Sequence, residues 1–415
     1  MSPSFHHGIE LLRFYAGPKN IRTVATAVIG LVGTAPIHLL ADTANRTINE
    51  PVLITSEEAA AKHFGPDTEG FTIPAALRAI FAQGAGTVFV VNVFDPERHT
   101  DGQGAPDPGR VAAADIIAGV DANTGKRTGM GALRNCKSAY GFGPKQLICP
   151  VYTGWEGVLP DLVILADKLR AFAWADVPSR PEFASPTQAV QGRGTGRPLN
   201  IGSKNLAFCF PHVKTINGRG EIELQGMSAF LAGAQANKDL TTGFHHSVSN
   251  TELKGVTGMA YPVEADLMDP TCEADLLNGA GIVTIYNSFG TGYRTWGNRN
   301  ASFPASSDPD NFISVQRTAN IIEDSINAFS LDYMDKPITS GLISQILLDI
   351  NAYLNGLVGI GASRDGAKAW FDAGKNPPQA LADGKLRICY KFLPPAPLET
   401  LVYESYIDVS LAATA

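Results

Sequence analysis

Apolar and polar positions alternate with two different periods along this chain, and each change of period marks off a part. A period of two predicts a half-buried strand, whereas spacings of three and four predict a helix with one buried face. Near the C-terminal end, LRICYKF places Leu386, Ile388, Tyr390 and Phe392 on one strand face. After Pro394, Pro395 and Pro397 comes a second run, with Leu401, Tyr403, Ile407, Val409 and Leu411 on one face. Glu404, Asp408 and Ser410 take the other face, with Tyr406 among them. This regularity predicts a strand, yet no hairpin turn joins it to a partner. Ordering backbone costs about 1–2 kcal/mol per residue and a hydrogen bond returns about 0.5–1.5 kcal/mol net, so such a strand needs a sheet. Either its own sheet or that of another molecule, reached through the stiff proline spacer, would serve.

Residues 4–13, SFHHGIELLR, alternate more weakly, with Phe5, His7, Ile9 and Leu11 on one face and Gly17-Pro18 breaking the chain behind them. This is a second strand-like tail. His6 and His7 would point to opposite faces of a strand, which argues against a shared metal. The most apolar run, Val24 to Leu40, is interrupted by Gly30, Gly33 and Pro36 and reads as a buried strand over 24–32 rather than a membrane span. Residues 51–94 have a β-α-α-β texture. Ser56 is the expected N-cap, with Glu57 and Glu58 in the first turn, and 72–83 forms a second helix. TVFVVNVF, 87–94, is apolar on both faces, as a strand covered on both sides would be. A polar Pro/Gly-rich loop follows at 95–110. Strands are expected at 146–152 and 205–210, and helices at 159–173 and 228–237. Alternation of strand and helix over 51–175 argues for an α/β domain.

The texture changes at Gly279. A strand leads into glycines at 290, 292 and 297, flanked by Tyr293, Arg294, Trp296 and Arg299. This is a β-hairpin with a surface tip or a contact loop, since Trp, Tyr and Arg anchor interfaces. Ser307 or Asp308 is predicted to cap a helix beginning near Pro309, with Val315, Ala319, Ile322, Ile326 and Phe329 as its apolar stripe. A second helix is expected over 339–357, with Leu342, Ile346, Ile350 and Leu354 along one side. Arg364, Lys368 and Lys375 then gather cations over a short stretch. The expected fold is α/β and α+β multidomain. It comprises an arm at 1–20, an outer α/β domain at 21–275, a C-terminal α+β domain at 276–392 and an arm at 393–415, the arms being extended β-strands.

Composition narrows the function. With 415 residues, 44% apolar, two or three domains are expected. A net charge of −7 without a basic excess makes nucleic acid an unexpected partner. The five cysteines are scattered without CxxC, indicating neither zinc nor a disulfide framework, and they fit a reducing cytoplasm. No secretory signal is expected from the opening residues. Gly125-Lys126-Arg127 resembles the end of a phosphate loop, but five residues separate Gly119 from Gly125 and Arg127 stands where Ser or Thr is needed. GRGTGR, 192–197, lacks dinucleotide spacing, and GxSxG and HExxH are absent. No catalytic residue, cofactor or metal ligand is therefore predicted. A soluble α/β enzyme or binding protein is the alternative, because distant residues can assemble a triad.

Several blocks together resemble the tail sheath proteins of contractile phage tails and R-type pyocins. They are TAVIGLVGTAP (26–36), ADIIAGVDANTGKRTG (114–129), GTGYRTWGNRNAS (290–302) and AWFDAGKNPPQALADGKLRICYKFLPPAPLETL (369–401). The resemblance implies a structural subunit, not an enzyme. It implies stacked hexameric rings forming a helical sheath around an inner tube, assembled in the host bacterial cytoplasm, with baseplate and tail terminator proteins at the ends. Contraction, using energy stored in assembly, would drive the tube through a target envelope, with no cofactor, nucleic acid or direct membrane insertion. Family arms complete a β-sheet in neighbouring subunits, which tips the choice above toward donation. The arm residues would be Phe5, Ile9, Leu11, Leu401, Tyr403, Ile407, Val409 and Leu411. Arg364, Lys368 and Lys375 would face the tube, and Arg294, Trp296 and Arg299 would form an interface loop.

Overall fold

Runs rich in Val, Ile and Phe supply the strands of this chain, and a computed structural model describes residues 21–409 apart from 85, 267, 288 and 289. In chain order come β1 (Ile29–Gly33), β2 (Pro51–Ile54), α1 (Glu57–Phe64), α2 (Ile73–Ala82) and β3 (Val88–Asn92). A one-turn α3 (Ala113–Ile116), the small pair β4 (Gly119–Val120) and β5 (Arg127–Thr128), and α4 (Cys136–Tyr140) follow. Next are β6 (Gln146–Ile148), α5 (Val158–Leu169), β7 (Phe172–Asp176), α6 (Pro186–Gly192) and β8 (Leu206–Cys209). Then come β9 (Val213–Ile216), β10 (Ile222–Gln225), α7 (Ser228–Thr241), β11 (Val256–Met259), α8 (Glu273–Gly279), β12 (Ile282–Asn287) and β13 (Tyr293–Trp296). The last are α9 (Ile313–Ser330), α10 (Ser340–Gly359), β14 (Lys368–Phe371), α11 (Pro378–Ala382) and β15 (Ile388–Lys391).

Eight strands form one sheet in the order β13-β12-β8-β7-β6-β1-β3-β2. The six inner strands run parallel, and β2 and β13 lie antiparallel at the two edges. The period of two decides which side chain faces which layer. Phe89 and Val91 join Leu147, Phe208 and Ile282 with Leu162 and Leu165 of α5 on one side. Val88 and Val90 join Ile29, Leu31, Trp174 and Ile285 with Leu77 of α2 and Phe230 of α7 on the other. Each such side chain, removed from water, contributes about 1.5–3 kcal/mol. The sheet is therefore the middle layer of an α/β/α stack. A separate antiparallel sheet, β10-β9-β11, was not predicted.

Several ends differ from the pattern reading. Arg170 takes a left-handed conformation at φ +48°, which stops α5 before residue 173 and frees Phe172–Asp176 to enter the sheet. Pro309–Asn311 forms only a 3-10 turn, and α9 starts at Ile313. Ser56 caps α1 as expected, accepting from the Ala59 N–H at 3.1 Å.

Two compact units are present. Among the described residues, one comprises Thr23–Asp324 together with residues 394–409, and the other comprises Ser325–Leu393 with residues 21–22. The boundary expected at 275/276 falls inside the larger unit, because β12 and β13 extend its sheet. In the smaller unit α10 packs beside the β14–β15 hairpin. Ile346, Ile350, Leu354 and Leu357 are buried, and the Asn351 amide accepts from the Ala369 N–H (2.8 Å) and donates to its carbonyl (3.1 Å). By length and composition α10 is apolar enough to cross a membrane, with its inner side taken up by this packing. Four cysteines are buried and Cys389, on β15, is half-buried. Burial pushes the Cys136 thiol up to about 12 and raises those of Cys149 and Cys209 well above the ordinary thiol range.

Candidate assembly surfaces

The glycine turn after β12 is a hairpin. Gly290 and Gly292 adopt φ of +70° and +86°, the left-handed region that a side chain resists, and β13 returns antiparallel with Asn287 opposite Tyr293. Arg294 spends its donors nearby, on the Asn250 carbonyl at 2.9 Å and the Thr291 hydroxyl at 3.3 Å. Trp296 is half-buried, edge-on to Tyr286 with ring centroids 5.2 Å apart. Asn300 is fully buried. Its amide donates to the Asp310 carbonyl at 2.7 Å, and its side-chain oxygen accepts from the Ser302 N–H and hydroxyl at 3.1 and 2.6 Å. The loop is thus laced to the entry of α9, and Asn300 closes the lacing.

Arg299 is the polar centre of this loop. Its guanidinium lies between the Phe303 and Phe312 rings, 4.7 and 3.7 Å from their centroids. Nη1 donates to the Asn311 side-chain oxygen. Nε donates to Glu399 Oε1 at 2.8 Å, while Nη2 donates to Glu399 Oε2. The predicted interface residue therefore holds a carboxylate of its own chain, in the fork geometry that favours Arg over Lys. Glu399 carried no signal in the pattern reading, since it sits in an irregular stretch between prolines and the terminal run.

That run behaves differently from the expected strand. Residues 401–408 belong to no strand among the described residues. Leu401, Tyr403, Ile407 and Val409 are 57%, 84%, 98% and 83% exposed. A single copy offers these side chains nothing to bury against, and the cost of ordering then goes unmatched. Phe5, Ile9, Leu11 and Leu411 lie outside the described residues.

Arg364, Lys368 and Lys375 are all exposed on the smaller unit. Lys368 stands directly opposite Lys391 in the β14–β15 register, a pairing that sequence spacing did not reveal. Like charges opposite one another destabilise a sheet. Residues 361–393 carry six Lys and Arg against three Asp, in a chain of net charge −7. Lys375 is within 3.9 Å of the Asp372 carboxylate.

The alternative reading looks to the carboxyl ends of the parallel strands, where ligands of open α/β sheets bind. A crevice of about 510 Å³ lies there, lined by Val151, Trp155, Asp176, His212 and Leu224 among others. Burial pushes the Asp176 carboxyl above its ordinary range, but both its oxygens are taken. Oδ1 accepts from the Ser228 N–H at 2.8 Å and Oδ2 from the Ser228 hydroxyl at 2.6 Å. Ser228 is itself fully buried, with its proton tied to the Asp176 carboxyl, and is not among the residues lining the crevice. Among the described residues no group of three or more His, Cys, Asp or Glu is placed to hold a metal.

Arg193, in the Gly-rich stretch that lacks dinucleotide spacing, is a staple. It donates to the carbonyls of Leu199 (2.7 Å), Ile201 (2.9 Å), Ala280 (3.2 Å) and Ala301 (2.5 Å) over the Phe208 ring. Burial lowers its pKa to about 10. Glycines at 192, 194 and 196 masked this side chain in the sequence reading.

A family model described as the phage tail sheath protein central domain matches residues 125–301, and one described as the N-terminal region of tail sheath protein Gp18 domain III matches 26–93. The chain is 35% identical to the tail sheath protein of Burkholderia phage BcepMu, over 98% of each chain. It is 31% identical to that of Escherichia phage P2, over 97% of this chain and 96% of the other. Its fold is similar to the contracted sheath of an extracellular contractile injection system, PVC, with a TM-score of 0.66 and 17% identity over 99% of this chain and all of the other. It is likewise similar to the contracted helical sheath of the anti-feeding prophage, at a TM-score of 0.66 and 18% identity over 98% of this chain and all of the other.

Proposed function

Because the chain belongs to the phage tail sheath protein family, and is a structural subunit of a contractile sheath, we propose how it is built into one. Copies stack as hexameric rings into a helical sheath around an inner tube, meeting a baseplate at one end and a terminator at the other. The terminal run, with Leu401, Tyr403, Ile407 and Val409 as its apolar face, adds as a strand to a sheet of a neighbouring copy. Such addition supplies backbone bonds and pockets for alternate side chains together. The two-stranded β14–β15 sheet of the smaller unit is the receiver, since two strands alone are marginal and further strands stabilise them. Phe5, Ile9, Leu11 and Leu411 belong to the same exchange.

The observation that carries this reading is the exposed alternating run of a chain otherwise well folded. Strands shared between copies keep subunits joined while rigid bodies turn, which is what contraction demands. Arg364, Lys368 and Lys375 face an acidic tube surface, where screened, weak contacts suit a tube that must slide free. Arg294 and Trp296 present the outer part of the interface loop. The particle assembles in the host cytoplasm and serves in the virion tail.

The test is deletion of residues 401–415 followed by negative-stain microscopy. The full chain should give striated cylinders and the shortened chain only small particles. Cylinders of ordinary yield from the shortened chain would remove the exchange from this account.

A further inference from the structure

Of the charged contacts in the larger unit, the one between Arg299 and Glu399 has a place that the arm reading does not explain. Glu399 stands two residues before the exposed run, and the chain leaves the smaller unit at Leu393. Between them are Pro394, Pro395 and Pro397, so the proline stretch ends on a grip rather than in solvent. The grip is well made. The Arg299 side chain is 17% exposed, two aromatic faces hold its plane, and Asn311 takes a third donor. Only the fork left over, Nε and Nη2, faces the tail, and Glu399 fills it with both oxygens. The receptor is thus set in place by its own unit before any tail arrives, which lowers the entropy lost on capture.

We propose that Arg299 and Glu399 form a clamp that fixes the point from which the terminal run leaves its own subunit, and so limits which neighbour the run can reach. This use of the clamp rests on the exchange proposed above. From Glu399 to Val409 an extended chain spans about 33–36 Å, whereas from Leu393 it would span about 53–58 Å. A shorter tether searches a smaller volume, so its effective concentration at a correctly placed neighbour rises and wrongly placed copies drop out of range. Loss of the clamp would leave the run able to bind but poorly aimed.

The test uses the full chain in two ways. In the unassembled subunit at low concentration, chymotrypsin cleavage after Leu401 reports release of the tail, because the protease must draw residues 399–401 into an extended strand and so needs Glu399 freed from Arg299. Arg299→Met keeps the stem between the two rings, removes the fork and leaves the cleaved sequence untouched. Cleavage there should quicken roughly three- to tenfold while sites elsewhere keep their rates. Glu399→Gln should act in the same direction, and adding it to Arg299→Met should change nothing further, because a pair already broken cannot be broken twice. In assembly, Arg299→Met should raise the protein concentration needed for cylinders and increase irregular polymer. Unchanged cleavage in Arg299→Met, or additive effects in the double variant, would overturn the clamp. A clamp that reads correctly by cleavage but leaves assembly unaltered would overturn its role in aiming. A chain stopped after Thr400 separates the two ideas: ordinary cylinders from it would sink the exchange, and the aiming role with it, while the cleavage result would stand on its own.

Discussion

Arg317 carries a full charge into the larger unit, with its side chain 2% exposed and that of Asp239 wholly buried. Both guanidinium ends meet the carboxylate, Nη1 on Oδ1 at 3.1 Å and Nη2 on Oδ2 at 2.6 Å, and Gln235 donates to Oδ1 at 2.8 Å. A buried pair of this kind adds little net stability, but breaking it strands a charge. Asp239→Ala should therefore lower the unfolding free energy by about 3–5 kcal/mol, measured by urea denaturation. Asp176 makes the opposite case. Burial raises its folded pKa above the ordinary carboxylate value, so the folded state holds its proton longer than the unfolded chain does. Its contribution is whole below pH of about 4 and declines as pH rises through the folded pKa. Asn at this position would accept from the Ser228 N–H and donate to its hydroxyl. Asp176→Asn should thus flatten the fall in stability above pH 4 and match or exceed the parent at neutral pH, which melting curves across pH would register.

At the scale of elements, legibility followed local signals. Ser56 with Glu57 and Glu58 announced α1, and the doubly apolar run around Phe89 announced an inner strand, because capping and burial are written in adjacent residues. The helix expected over 159–173 ran into the first two residues of β7, since Ala171 to Ala175 is apolar throughout and shows no period to separate helix from strand; only the left-handed Arg170 divides them. The division between domains was misplaced for a related reason. A change of texture at Gly279 marks the start of β12, but only pairing with β8 shows that the strand continues the older sheet. Of the residues proposed for assembly, Arg299 stood out by type and its partner Glu399 did not, because a contact spanning 100 residues leaves no local trace. The Lys368–Lys391 pairing was hidden for the same reason.

For the molecule as a whole, the separation of roles predicts separable defects. Reversing Arg364, Lys368 and Lys375 to Glu should reduce sheath formed on tubes while empty cylinders persist, scored by micrograph counts of filled and empty particles. The deficit should resemble that of the parent chain at raised salt, where exposed charges are screened. Four thiols are locked in the interior, and Cys389 alone is half-open, on the small hairpin proposed to receive the arm. A maleimide dye added to the unaltered protein should mark each copy once, at the place where neighbours are proposed to join. The natural chain thus supplies its own reporter: a fluorophore there should change colour or lifetime as particles assemble and again as they fire, with no engineered residue required.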